Sequence, residues 1–247
     1  MSRMLGSSFD DVFVVNPSRI EPATAHDVAD LESRLGCRMP SGYADFVEHL
    51  GEGALGHFVR VLGPTELPAK TLEWRERIQE YWFWDTSESG VEPATLQQTG
   101  VLVGDSFDGD ELCFDPADPD VLFVLPRDED VAYRVGPGLI GALGWMLSGA
   151  VLSPWVEGWT FETWTHRSEA RHPERSAEAL VAVAARVEAL GEHGHVVDLG
   201  ERRTYFLPAI GGRLSLYQFE GQDLRFDFTH DEAADPAKVN LIASALQ

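Results

Sequence analysis

Basic residues are scarce in this sequence: 19 Lys and Arg stand against 41 Asp and Glu, a formal net charge of −22. A surface of that sign repels nucleic-acid phosphates and anionic lipid headgroups, so neither is an expected partner, whereas a basic protein is drawn in. Cysteine is scarcer still. Cys37 and Cys113 are too few and too far apart for a disulfide framework or a thiolate metal site. Long hydrophobic runs are also missing. The one long uncharged stretch, VGPGLIGALGWMLSGAVLSPWV, is interrupted by two prolines and five glycines and reads as a buried helix followed by a loop, not a membrane span. The opening MSRMLGSSFDDVFVV has no apolar core of signal-peptide length and turns acidic at Asp10, so a reduced cytoplasm is the expected compartment.

Signatures of catalysis are equally thin. There is no Gly-x-Ser-x-Gly and no phosphate loop ending in Gly-Lys-Ser/Thr. One Gly-x-Gly-x-x-Gly occurs at Gly136, Gly138 and Gly141, but the VLSPWVEGW that follows is broken by a proline where a dinucleotide fold needs a clean strand. These glycines read instead as a tight entry into a helix. The eight histidines are scattered, and neither EHGH (192–195) nor THRSEARH (165–172) has zinc-ligand spacing. No catalytic residue, cofactor site or metal site is expected, and the chain is read as a non-enzyme.

What is present begins with ordinary globular composition, 44% hydrophobic and 24% charged, over a length that suits one domain plus an appendage. In ATAHDVADLESRLG, Thr24 with Asp27 forms a helix start; Val28, Leu31 and Leu35 share a stripe, and Gly36 suits the stop. MPSGYADFVEHLG then places Tyr43, Phe46, Val47 and Leu50 on one face of a second short helix ended by Gly51.

The stretch DVADLESRLGCRMPSGYADFVEHLGEG resembles the opening of the SUKH superfamily, whose best-known branch is the Smi/Knr cell-wall-regulator-like domain. The pattern is a helix ending in Leu-Gly, a Leu-Pro-x-x-Tyr-x-x-Phe-Leu helix and a Gly-rich turn. Leu35-Gly36, Met39-Pro40, Tyr43, Phe46-Val47 and Gly51-Glu52-Gly53 occupy the matching places. The next landmark, Gly-Asp-x-x-Gly-Asp between two strands, is similar to Gly104-Asp105, Gly109-Asp110 and a strand ending at Asp115, and VAYRVGPGLIGALGWMLSG matches a closing helix. The usual Asn-Gly after the second helix is absent, and the closing helix is richer in glycine than the pattern. The likeness covers roughly residues 20–150. It implies an α+β fold with a mixed, mainly antiparallel sheet and packed helices. It also implies one of two roles: an immunity protein that neutralises a bacterial toxin, often a nuclease, or a regulatory scaffold without a toxin.

Between Arg77 and Arg127 the chain has no Lys or Arg but eleven acids, seven of them from Asp105 to Asp120. In VLVGDSFDGDELCFDPADPD the Asp108-Gly109 dipeptide predicts a two-residue hairpin turn with Asp105 facing Leu112 and Val103 facing Phe114, leaving the acids solvated near its tip. Calcium-loop spacing fails from either start: from Asp105 the third residue is Phe107 and the twelfth Pro116, and from Asp108 the fifth is Leu112 and the sixth Cys113. Upstream, PAKTLEWRERIQEYWFWD predicts a helix capped at Thr71 with Trp74, Ile78, Tyr81 and Trp82 on one face. These aromatics are either core or, for at least one of Trp82, Phe83 and Trp84, an exposed anchor beside charge, the usual make-up of a binding hot spot. Trp82, Trp84, Asp85, Asp105, Asp108, Asp110, Glu111, Asp118 and Asp120 are therefore the candidate surface for a basic protein toxin.

The expected layout is a first domain over 1–152, a Trp-rich connector over 153–175 packed by Trp155, Trp159 and Trp164, and a C-terminal αββββα module over 176–247. In the module, SAEALVAVAARVEAL reads as a helix, HVVDL, TYFLPAI, LSLYQF and LRFDF as strands, and Asp235-Pro236 opens the last helix. Nothing in the sequence speaks to the oligomeric state.

Overall fold

The computed structural model describes residues 8–148, 151–152, 158–163, 167–170 and 179–246, with 167–170 as backbone alone. Contacts divide the chain into two compact units: Met1–Val12 with Ile20–Thr163, and Phe13–Arg19 with Trp164–Gln247. A two-residue strand, β1 (Phe13–Val14), falls in the second.

In the first unit the local grammar is realised closely. The Thr24 hydroxyl accepts the Asp27 amide at 3.2 Å, and the Asp27 carboxylate accepts the Thr24 amide at 2.8 Å. That reciprocal cap starts α1 (Ala25–Leu35), and Gly36 ends it in the left-handed region. Helix α2 (Tyr43–His49) buries Tyr43, Phe46 and Val47, and the Tyr43 hydroxyl donates to the Leu62 carbonyl at 2.9 Å. There follow β2 (Gly53–Leu55), β3 (Val59–Val61), α3 (Leu67–Glu80), α4 (Pro93–Thr99), β4 (Val101–Ser106), β5 (Glu111–Phe114), β6 (Val121–Leu125), β7 (Tyr133–Pro137), α5 (Gly138–Met146) and β8 (Thr160–Thr163). The sheet runs β8-β2-β3-β4-β5-β6-β7 with antiparallel ladders, and from β3 onward spatial order follows chain order. All four β5 residues are buried, as are Leu122 to Leu125 of β6, so the centre of the sheet is covered.

The fold class is thus α+β. The segment read as a connector instead supplies β8 to the first sheet, where Phe161, fully buried, lies opposite Leu55. Trp155 and Trp164 lie outside the described residues. No helix among the described residues is long and apolar enough to cross a membrane.

The spaced glycines have a packing cause. A Cβ on Gly136 would sit 2.3 Å from the Gly141 carbonyl carbon and 2.6 Å from the Ala142 nitrogen, and Gly136 has φ of +38°. Strand β7 and the first turn of α5 meet there backbone to backbone. Gly144, inside α5, has nothing within 4 Å of a built Cβ and an ordinary φ. The two alanine variants therefore part in sign. Gly136→Ala is expected to destabilise by about 2 kcal/mol or more through clash and strain, whereas Gly144→Ala should stabilise by about 0.5–1 kcal/mol. Urea midpoints of the two variants check this, and equal shifts would remove the close-approach explanation.

The second unit contains β9 (Arg167–Ala170), α6 (Leu180–Leu190), β10 (His195–Asp198), β11 (Arg202–Leu207), β12 (Gly212–Tyr217), β13 (Arg225–Asp231) and α7 (Pro236–Ser244). Its five-stranded sheet has the order β10-β11-β12-β13-β9, antiparallel throughout. The αββββα pattern read from sequence is present, with β9 added beside β13. Gly191 terminates α6 in the left-handed region, and Asp235 caps α7 by accepting the Ala237 amide at 2.9 Å. Tyr205, Leu214, Leu216, Phe226 and Phe228 form the core with Val183 and Val187 of α6 and Ile242 of α7.

Residues 13–19 complete this unit from far away in sequence. The Phe13 ring stacks on His195 with centroids 5.1 Å apart. Buried Asp231 accepts Asn16 Nδ2 at 3.0 Å, Arg19 Nε at 2.9 Å, Arg19 Nη2 at 3.1 Å and the Ala233 amide at 2.8 Å. A module cut at residue 176 omits both this arm and β9.

Candidate functional site

The acidic stretch forms a hairpin, but not in the expected register. The turn is a three-residue loop, Phe107-Asp108-Gly109. The Gly109 amide donates to the Ser106 carbonyl at 3.0 Å, and the Ser106 amide to the Asp110 carbonyl at 2.8 Å. Gly109 alone takes positive φ, +97°, whereas the two-residue turn would need it at Asp108 too; among described non-glycine residues only His57 has it. Asp105 consequently lies opposite Glu111 and Gly104 opposite Leu112, with a bulge between Leu102 and Gly104. A one-residue slip exchanges the faces of a strand. The alternation that was to leave Asp110 near solvent therefore does not apply.

Asp110 and Glu111 are buried, 5% and 7% exposed, so neither offers a solvated charge to steer a partner. Asp110 accepts the Ser106 hydroxyl at 2.6 Å and the Arg127 amide at 3.1 Å, so it stitches the loop to the strand end after β6. Glu111 accepts the Trp74 indole N–H at 2.8 Å and pairs with Arg77. Burial pushes its carboxyl above the usual range, and Arg77 and Trp74 pull back only part of the way. Asp105 is half-buried in a two-pronged pair with Arg60.

The aromatics also rearrange. Helix α3 begins at Leu67 with Pro68 in its first turn, so Thr71 is not its cap; Thr71 is buried mid-helix with its hydroxyl 3.4 Å from the Leu102 carbonyl. The helix stops at Glu80, and the expected face keeps Trp74 and Ile78 buried but loses Tyr81 and Trp82. Trp84 is 6% exposed and donates to the Pro126 carbonyl at 2.6 Å; Trp82 is half-buried and donates to the Trp84 carbonyl at 2.9 Å. The exposed rings are Tyr81, 73% exposed, and Phe83, 43% exposed and stacked on Trp84 at 4.2 Å. Residue order alone did not separate these four neighbours, because the helix end decides which way each ring turns.

Topology then sorts the remaining acids. In an antiparallel meander the β4–β5 and β6–β7 connections share one end of the sheet and the β5–β6 connection lies at the other. Asp108 is exposed at the first end, with exposed Asp128, Glu129 and Asp130 in the β6–β7 connection. Asp85 joins them: its amide donates to the Asp130 carbonyl at 2.6 Å and its own carbonyl accepts the Ala132 amide at 2.9 Å. The Ser87 amide and hydroxyl hold its exposed carboxyl below the ordinary range. Asp118 and Asp120 are at the far end, roughly 13 Å away by strand rise alone. There Asp118 is exposed and Asp120 accepts the Ser41 amide at 2.7 Å, which lowers its pKa.

One end of the sheet therefore collects Asp85, Asp108, Asp128, Glu129 and Asp130 beside Tyr81 and Phe83. The 128–130 run was missed in the sequence because it lies just past the basic-free stretch; its signal is three consecutive acids after an apolar strand. Among the described residues no group of three His, Cys, Asp or Glu side chains is placed to hold a metal ion.

Residues 22–140 match the family described as SMI1 / KNR4 family (SUKH-1). None of the curated proteins compared matches the chain. The matched span contains both opening helices and the sheet from β2 to β7, and hence the acidic end and its aromatics.

Proposed function

We propose, on the premise that residues 22–140 are a SUKH-1 domain, that the chain is a non-enzymatic immunity protein that neutralises a basic protein toxin by docking. The observation carrying this reading is the clustering of exposed Asp85, Asp108, Asp128, Glu129 and Asp130 beside exposed Tyr81 and Phe83 at one end of the sheet. The acids steer a cationic surface into encounter, and the rings supply apolar area that excludes water once the partner arrives. The net charge of −22 extends the same attraction beyond contact distance.

The test is association kinetics with a purified basic protein toxin sought among the products of the neighbouring genes. The wild-type rate should fall steeply between low and physiological salt. The triple variant Asp108→Lys, Asp128→Lys, Asp130→Lys should associate at least about tenfold more slowly at low salt. Asp118→Lys, at the other end of the sheet, should stay within about twofold of wild type at physiological salt, where a Debye length of about 8 Å confines steering to local charge. A salt-indifferent rate would remove the acidic end from the mechanism. A regulatory scaffold is the second reading that the SMI1 / KNR4 family match accommodates; it uses the same surface and differs in having a non-toxin partner and no adjacent toxin gene.

A further inference from the structure

We infer that the cleft under the aromatic rim receives a partner side-chain carboxylate adjoining an aromatic residue, an anchor opposite in sign to the steering charge. This rests on the docking reading above and specifies its centre. The cleft, about 210 Å³, is lined by Arg77, Arg127, Tyr81, Phe83, Trp84 and Glu111. That is room for a side chain rather than for a typical small-molecule site of about 300–1,000 Å³. Arg77 and Arg127 are the two bases that bracket the basic-free stretch in sequence, and the fold returns both to one spot.

The charge inside the cleft is the reverse of its surroundings: two guanidinium groups against a single carboxylate. Glu111 already has Arg77 and Trp74 as partners. The Arg77 side chain remains 55% exposed despite that pair. The Arg127 side chain is 69% exposed; it donates through Nη1 to the Asp108 carbonyl at 3.2 Å and approaches Asp128 no closer than 4.0 Å. A guanidinium carries five N–H donors, so both arginines keep donors for an incoming carboxylate, which a fork can bind through two oxygens. The faces of Tyr81 and Phe83 suit a neighbouring ring. A lysine entering here meets two like charges. The acids outside act on a small anion only within the Debye length, about 8 Å at 0.15 M salt, so in a titration at that ionic strength a short peptide carboxylate reaches the cleft, and a carboxylate carried on a basic protein surface is delivered past them at lower salt as well.

The probe is the blocked peptide acetyl-Gly-Phe-Glu-Gly-amide, compared with its Gln and Lys counterparts. Each is titrated into the full-length ¹⁵N-labelled protein while the Trp82 and Trp84 indole N–H resonances are followed. A saturable shift is expected in the millimolar range, at least fivefold tighter for Glu than for Gln or Lys. Arg127→Gln should abolish the preference for Glu over Gln, and Phe83→Ala should weaken all three peptides alike. Equal or tighter binding of the Lys peptide, no saturable shift with the Glu peptide, or an intact preference in Arg127→Gln overturns the assignment. Because toxin association reads the acidic rim and the peptides read the cleft, failure of one leaves the other separately measured.

Discussion

Trp74→Ala is expected to lower the stability of the first unit by about 4 kcal/mol, a large fraction of the 5–15 kcal/mol typical of a whole protein. Trp74 is 2% exposed, so the truncation opens a cavity the size of an indole under α3. It also strips buried Glu111 of its indole donor, leaving Arg77 as its side-chain partner. Trp74→Phe separates the two effects: most of the ring stays, the N–H goes, and the cost should fall to about 1–2 kcal/mol. Urea unfolding followed by tryptophan fluorescence reads this unit well, since six of the seven Trp residues fall within Ile20–Thr163. If the alanine and phenylalanine variants cost the same, packing is not what Trp74 supplies. Weakening this pin should also lower peptide affinity, because Glu111 and Arg77 line the cleft.

Asp231→Ala is the second large effect, and it acts in the other unit. The carboxylate accepts from Asn16, Arg19 and Ala233, so its loss frees the arm formed by residues 13–19. The expected cost is about 2–3 kcal/mol, toward the low end for a broken buried pair because the Arg19 side chain is 44% exposed. Amide exchange at Leu214 and Phe228, both in this unit's core, should quicken roughly a hundredfold, while Leu112 and Val124 of the first unit keep their rates. Unchanged exchange at Leu214 and Phe228 would mean that the arm does not support the second sheet.

The two buried carboxylates also make opposite pH signatures. Burial alone would raise the Asp231 pKa, but the Ala233 amide, Arg19 and Asn16 outweigh it, and the folded group sits below its ordinary value. Between that lowered value and the unfolded pKa of about 3.9, the unfolded chain binds the extra proton. The contribution of Asp231 is therefore complete above this window and lost as pH falls through it. Glu111 is raised by burial, so its folded form holds a proton to higher pH than the unfolded one. Its stabilising share is present at low pH and declines as pH rises from about 4.3 through the raised value. Asp231→Asn should flatten the acid loss in the second unit, and Glu111→Gln the opposite slope in the first. Site-resolved exchange at pH 5 and pH 3 distinguishes them.

The parts of the fold that were legible were those governed by a few adjacent residues. Thr24 with Asp27, Gly36, Gly191 and Asp235-Pro236 behave as their chemistry demands, since a cap is satisfied within one turn of helix. The apolar stripe of α2 and the pairing of β4 with β5 were also readable, because a short connection favours neighbours. Asp108-Gly109 did mark a turn, yet its type was not readable. Adding Phe107 to the loop changes little locally and moves the register by one residue, which sends Asp110 and Glu111 inside.

By itself, then, the sequence determined the acidic balance, the helix caps at Thr24, Gly36, Gly191 and Asp235, and the hairpin of β4 with β5, each from composition or from interactions spanning about one turn, while the α+β class came with the family resemblance. Only the tertiary structure decided that α3 ends before Tyr81, that Asp108 and Asp118 lie at opposite ends of a sheet, that Arg77 meets Arg127 across a cleft, and that Arg19 reaches Asp231. The physical reason is that such choices compare whole buried faces. A register, a helix end or a distant ion pair is selected by the apolar area it hides and the buried polar groups it satisfies, quantities that no short window of residues contains.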